Sequence, residues 1–490
     1  MKIICFSQSI IIPLPLLFIV YLLLKNMLPL YHSKNSETTL FFSLLLVLFF
    51  LVSGLNNAYA YDFSAECTSG QTLYYSVTNS SNHYVRVTAP NSSSSDPWSG
   101  FSKPVGSLVI PSVVSNGGVE YQVTEIGSYS FYGCSGLTEV VIPNSVTIVD
   151  SYAFYGCTGL SELTIGEGVQ YIYRYAFWNC PALSTVHFNA TNCTQMYTYT
   201  NSNVNPLGYY RGVFNSSDQA NGSSAITTLT IGGNVTKIPS YSFMNSPSLT
   251  GVVIPNSVTT IDMYSFYGCL GMTSVSIPSS VTTIWHYSFY GCAGLTSVVI
   301  PDSVTTVGQY AFCGCTGLSE LTIGEGVQAI YNCAFWNCPA LSTVHFNAIN
   351  CTEMYTSNSG TDYNRSVFNA STSNTGSSAI ATLTIGGNVT NIPNYAFMKS
   401  SSLTGVVIPN TVTTVGQYAF YGCAGLTEVT IGEGVQTIGE KAFWSCPALT
   451  TVHFNATNCT QMYTSQSNTS YNRSVFNSNE QNTGSSAIAT

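Results

Sequence analysis

The chain has 490 residues, with 12 lysines and arginines against 21 aspartates and glutamates, for a formal charge of −9. Charged residues make up only 7% of it, against roughly 25% in ordinary soluble domains. No basic cluster occurs anywhere, which excludes nucleic acid and anionic membrane surfaces as partners. Aromatic residues reach 13%, with 33 tyrosines, which argues against disorder and for a stacked β structure with polar, uncharged faces.

The first sixty residues differ from the rest. Ile10–Leu24 and Leu40–Val52 are apolar runs, and Ala58-Tyr59-Ala60 after the second has the small-x-small form of a signal-peptidase site. The second run is shorter than the roughly 20 residues a membrane span needs. Residues 1–60 are therefore expected to be a leader, cleaved near Ala60, that places the rest outside the cell or on its surface. The competing expectation is two membrane helices, over 10–30 and 40–55, that anchor the remainder.

Residues 61–104 lie outside any repeat. Thr72–Val77 and His83–Val87 read as two strands joined by Thr78–Asn82. Such a β-hairpin would cap the open edge of whatever follows.

From 105 to 490 the chain repeats. Phe131, Phe154, Phe266, Phe289, Phe420 and eight others up to Phe476 make, with Phe312, 14 anchors, usually 23 residues apart. A fixed period of this size is the mark of a solenoid, in which each unit touches only its neighbours. One unit reads Leu137-x-x-Val140-x-Ile142-Pro143, then Val146–Val149, then Ala153-Phe154-x-Gly156-Cys157-x-Gly159. The first part alternates with period two, as a short strand does. Pro143 ends that strand because it has no N–H for the ladder. Fourteen anchors at about 4.8 Å per coil predict a rod on the order of 65 Å long.

The period breaks three times, near 189–213, 347–367 and 455–475. Each break opens with His-Phe-Asn-Ala-x-Asn-Cys-Thr-x-Met-Tyr-Thr, starting at His187, His345 and His453. These stretches are expected to protrude as loops, and insertions in repeat arrays often map to the binding face. The segment Gly-Ser-Ser-Ala-Ile at 222–226 and 376–380 leads into a strand, whereas its copy at 484–488 is followed only by Ala489-Thr490. The expectation is a chain truncated mid-repeat, with a C-terminal cap and any anchor missing.

The units Leu-x-x-Val-x-Ile-Pro and Ala-Phe-x-Gly-Cys-x-Gly-Leu resemble the 23-residue leucine-rich repeats of BspA-like surface proteins, over about 105–490. The resemblance implies a leucine-rich repeat solenoid, a right-handed coil of short β-strands and turns. It also implies a secreted or surface-displayed protein of host-associated anaerobes, acting in adhesion to host matrix proteins or to other cells. Fold transfers further than function in such a comparison.

Of the 16 cysteines, Cys134, Cys157, Cys180, Cys269, Cys292, Cys315, Cys338, Cys423 and Cys446 share one repeat position. They read as a column of small buried thiols. Cys193, Cys351 and Cys459 recur in the inserts, each 13 residues after a column cysteine. In a secretory context the pairs Cys180–Cys193, Cys338–Cys351 and Cys446–Cys459 are candidate disulfides. Cys313 and Cys333 fit neither set.

Glu139, Glu162, Glu320 and Glu428, together with Thr343, Thr451, His187, His345 and His453, fall on outward positions of the first strand and form the candidate binding face. The three histidines lie roughly 20–30 Å apart along the rod at one strand spacing per coil, too far to share a metal or a reaction. Neighbouring Glu139 and Glu162 could mimic a glycosidase carboxylate pair, but no charged cleft accompanies them. No catalytic, cofactor or metal set is expected. A tyrosine column two residues before the anchors, including Tyr152, Tyr264 and Tyr287, suits an interface or stacking on sugars. The reading is a non-enzymatic scaffold for a protein or glycan ligand, touching membrane only through its leader or a missing anchor; the alternatives are an inert surface-layer spacer and a glycan-binding protein.

Overall fold

The computed structural model describes residues 60–92, 95–196, 212–216, 224–354, 367–368, 378–462 and 475–476. Expectations for the leader, for the Ser- and Asn-rich parts of the inserts and for the C-terminal end lie outside these residues. Among the described residues there is no helix. The chain from residue 60 onward forms one unit, a β-solenoid.

From Leu137 onward, each described coil holds one long strand of three to six residues and one strand of two residues. Long strands pair in parallel with a 23-residue register, as Glu139↔Glu162 and Ile142↔Ile165 do. The two-residue strands pair the same way, as Thr283↔Thr306 does. Along each long strand, inward Leu, Val and Ile alternate with outward polar residues, the pattern of a sheet with one face in water.

The anchors form a single uninterrupted stack. From Phe131 through Phe289 to Phe476, each ring lies 4.8–6.1 Å from the next. The stack runs through all three inserts, so the insertions leave the core in register.

Beside it runs the thiol column. Cys157, Cys180, Cys269, Cys292, Cys315, Cys338, Cys423 and Cys446 each donate Sγ–H to the carbonyl of the anchor Phe one coil back, at 3.2–3.4 Å. The buried sulfurs thus tie neighbouring coils together.

The candidate disulfides Cys180–Cys193, Cys338–Cys351 and Cys446–Cys459 are not made; all fifteen described cysteines are free thiols. In each pair the column cysteine precedes a long strand and the insert cysteine follows it, as Cys180 and Cys193 flank Thr185–Phe188. Four strand residues span about 13 Å, about twice the longest Cα separation a disulfide bridges.

The inserts also begin later than expected. Gln195–Met196 pairs in parallel with Tyr171–Ile172, and Glu353–Met354 with Ala329–Ile330. The Asn-Cys-Thr-x-Met stretch therefore completes a coil through a turn one residue longer than usual. Any excursion starts after Met196, Met354 and Met462.

At the N-terminal end, Thr72–Asn79 pairs antiparallel with Tyr84–Thr88, close to the expected hairpin, and a further strand, Phe63–Glu66, joins its outer edge. Tyr84–Thr88 then pairs in parallel with Val119–Ile126 of the first coil. Trp98 is buried and donates Nε1–H to the Ser130 carbonyl at 3.1 Å, which fastens this region to the repeats.

Candidate functional site

The outward face of the long strands carries all nine candidate residues. Two outward rows run along it. Glu139, Glu162, Glu320, Thr343, Glu428 and Thr451 lie in the first row, and the histidines lie in the second. Among the described residues, no long strand of a repeat coil contains lysine or arginine, so the acidic side chains of this face meet neither within it.

The face is not a row of isolated residues. His187 Nε2 lies 3.1 Å from Glu162 Oε1, His345 Nε2 lies 3.4 Å from Glu320 Oε1, and His453 Nε2 lies 2.9 Å from Glu428 Oε1. Each pair is diagonal: Glu162 faces Thr185 in the ladder, and His187 faces Thr164. Glu320 likewise faces Thr343, and Glu428 faces Thr451. Three clusters result: Glu139, Glu162 and His187; Glu320, Thr343 and His345; Glu428, Thr451 and His453. The first spans three coils and the other two span two coils each, and each ends on the coil that leads into an insert. The signal for them was in the sequence, since every histidine follows its glutamate by 25 residues, one repeat plus two.

Side by side in solvent, a carboxylate accepts and an imidazole N–H donates hydrogen bonds at one spot. The carboxylate orients the ring, which fixes which nitrogen remains free for a partner. Among the described residues, no three His, Cys, Asp or Glu side chains converge as a metal site would require.

Next to the third cluster the face opens. The strands Thr382–Ile385 and Gly405–Ile408 are not hydrogen-bonded to each other. A groove of about 530 Å³ lies there, lined by Leu383, Thr384, Ile385, Gly405, Val406, Val407, Pro409, Glu428 and Thr430. Glu428 belongs to both the groove and the His453 pair. Nothing in the sequence reading pointed to this groove.

The tyrosine column is real but closed. Tyr264, Tyr287 and Tyr310 stack at 4.7–4.9 Å with near-parallel rings, as do Tyr129 and Tyr152 at 5.0 Å. These tyrosines have φ of 56–60°, the left-handed region, which turns each ring onto the one in the next coil. Burial, then the neighbouring tyrosines, push the Tyr152 and Tyr287 phenols above their ordinary value. Ring faces that cover one another leave edges and hydroxyls outward, and Trp178, Trp336 and Lys441 lie against the rings of Tyr175, Tyr310 and Tyr418 at the ends of runs in the column.

The pattern of the BspA type leucine-rich repeat region matches residues 124–250, 236–361 and 390–490. The chain belongs to the BspA-type leucine-rich repeat family. Solved structures of similar leucine-rich repeat proteins cover most of its length. One from Bacteroides ovatus is 21% identical, spans 80% of this chain and 94% of its own, and superposes with a TM-score of 0.45. A leucine rich cell surface protein from Faecalibacterium prausnitzii is 23% identical, spans 81% and 96%, and has a TM-score of 0.32. One from Eubacterium ventriosum is 19% identical, spans 84% and 99%, and has a TM-score of 0.35. No curated protein matches the chain by sequence. The family suggests an interaction scaffold, and in this BspA-type chain the three His–Glu pairs stand on coils next to the inserts.

Proposed function

We propose that the chain is a non-enzymatic interaction scaffold, secreted or held at the cell surface, that binds a protein on a matrix or on another cell through its strand face. The observation that carries this reading is the threefold recurrence of a His–Glu pair on that face, each time on the coils that lead into an insert. A solenoid needs none of these pairs for its core, because both partners point away from it. Scattered polar residues would serve an inert spacer equally well.

The face has the composition of a polar protein interface. Threonines and serines supply hydrogen bonds, Val253, Val299 and Val407 stand exposed between them, and the charge is acidic. Such a surface favours a protein ligand that brings its own basic groups. A glycan ligand is the weaker reading, because the tyrosine rings that would stack on sugar already stack on each other.

Immobilised matrix proteins, whole cells and a glycan array, each titrated with the purified chain, separate these readings. Saturable binding to a protein or cell surface supports the scaffold. Binding to the glycan array alone moves the ligand class. No saturable binding to any of them leaves the spacer. Removing 355–364 from the second insert, which lies outside the described residues, should weaken binding if the inserts take part.

A further inference from the structure

We infer that the solenoid carries two built-in joints, one after each of the first two inserts, where the rod bends on opposite sides in successive coils. The inference rests on hydrogen-bond ladders, ring spacing and burial, and it does not depend on what the face binds.

At the first insert, the long strands Thr185–Phe188 and Thr228–Ile231 stay paired. The short strands Gln195–Met196 and Lys237–Ile238 do not pair. One coil later the situation reverses. The short strands Lys237–Ile238 and Thr260–Ile261 pair, whereas the long strands Thr228–Ile231 and Gly251–Val253 do not. The second insert repeats this order. Thr343–Phe346 and Thr382–Ile385 pair while the short ladder lapses after Glu353–Met354. Then Asn391–Ile392 pairs with Thr414–Val415 while Thr382–Ile385 and Gly405–Ile408 part. Each of the first two inserts is thus followed by two half-breaks on opposite sides of the coil.

Three further observations mark the same coils. The thiol column is interrupted there by Ser246 and Ser400. Each serine donates to the anchor carbonyl of its own coil, Phe243 and Phe397, where cysteine reaches the coil before. The Phe stack is widest there, at 6.1 Å for Phe214–Phe243 and 5.9 Å for Phe368–Phe397. The inward strand residues are also less well covered: Leu229 and Ile231 are each 8% exposed and Ile385 is 7%, while Leu163, Ile165, Leu321, Ile323, Val429 and Ile431 are all at 0%.

The strand ladder also lapses between Ser274–Ser276 and Ser297–Ile300. That coil keeps its thiol tie, Cys292 to the Phe266 carbonyl at 3.3 Å, and its ring spacing of 5.3 Å. Its inward residues are loosely covered too, with Val275 half-buried and Ile277 9% exposed, but its short strands Thr283–Ile284 and Thr306–Val307 stay paired, and it is not assigned as a joint.

A joint with a broken ladder opens more often than a closed coil, and amide exchange reads such openings directly. Hydrogen–deuterium exchange of the whole chain, followed by mass spectrometry, makes the test. Peptides covering 251–253 and 405–408 should exchange at least about tenfold faster than those covering 320–323 and 428–431. Ser400→Cys, which offers a thiol to the coil before, should slow exchange at 382–385 and 405–408 and leave 428–431 unchanged. Equal protection of 405–408 and 428–431 in the native chain would overturn the joints. Slowed exchange nowhere in the variant would overturn the role assigned to Ser400.

Discussion

His453 Nε2 lies 2.9 Å from Glu428 Oε1, one coil and two residues away along the chain. The same spacing brings His345 to Glu320 and His187 to Glu162. The parallel ladder produces this geometry: a 23-residue register sets side chains of adjacent coils abreast, and two more residues move one step along the same face. Histidines that look isolated in the sequence therefore each acquire a carboxylate partner.

Because both members of the pair are solvent-exposed, the pair contributes little to stability. His453→Ala should change the free energy of unfolding by no more than about 1 kcal/mol. Denaturant titration measures this, and a loss well beyond that would mean the residue packs into the fold instead of serving the face.

The Phe stack is the opposite case. Phe289 is fully buried and stacks at 5.3 Å on Phe266 and 5.1 Å on Phe312. Phe289→Ala should cost about 3–5 kcal/mol through lost burial and the cavity left behind. A variant that melts within a degree or so of the parent would refute the central role given to the stack.

Two glycines of similar sequence context should behave differently. A Cβ on Gly326 would collide with the Asp302 carbonyl oxygen of the coil before, whereas one on Gly387 would meet nothing within 4 Å. Gly326→Ala should destabilise by about 1–3 kcal/mol or more through forced separation of the coils. Gly387→Ala should stay within about 0.5 kcal/mol of the parent. Equal melting temperatures for the two variants would contradict the close coil approach.

The thiol column should be inert in the folded chain. Burial pushes the Cys180 and Cys338 thiols up to about 12 from an ordinary 9.0 and raises Cys157, Cys315 and Cys423 well above it. At pH 8, iodoacetamide should leave the column cysteines unmodified until the protein is denatured. The folded state favours the protonated thiol, so this contribution to stability is full below pH 9 and is lost as pH rises toward 12. Unfolding monitored across that range should show it; rapid alkylation of the native column would contradict the burial.

Most of the coil was legible in the sequence because period and alternation are local patterns. Phe131 to Phe476 marked the turns, Pro143 and its equivalents ended the strands, and the column cysteines read correctly as buried thiols. Ladder register between coils was harder to see. The His–Glu pairs and the groove beside Val407 depend on which residues of neighbouring coils face each other, and the absence of a Cys180–Cys193 bridge depends on the strand that separates the two within one coil. The inserts misled for a related reason: Asn-Cys-Thr-x-Met looks like the start of a loop, yet Met196 and Met354 are core residues of an ordinary coil.

The strand face as the binding surface is tested most directly by comparing two chains on the same immobilised matrix proteins and whole cells. One is the parent; the other carries Thr343→Ala, His345→Ala, Thr451→Ala and His453→Ala. Saturable binding by the parent to at least one surface, weakened about tenfold or more in the variant at an unchanged melting temperature, is the predicted result. Full binding by the variant, or no saturable binding by the parent to any surface, would contradict it.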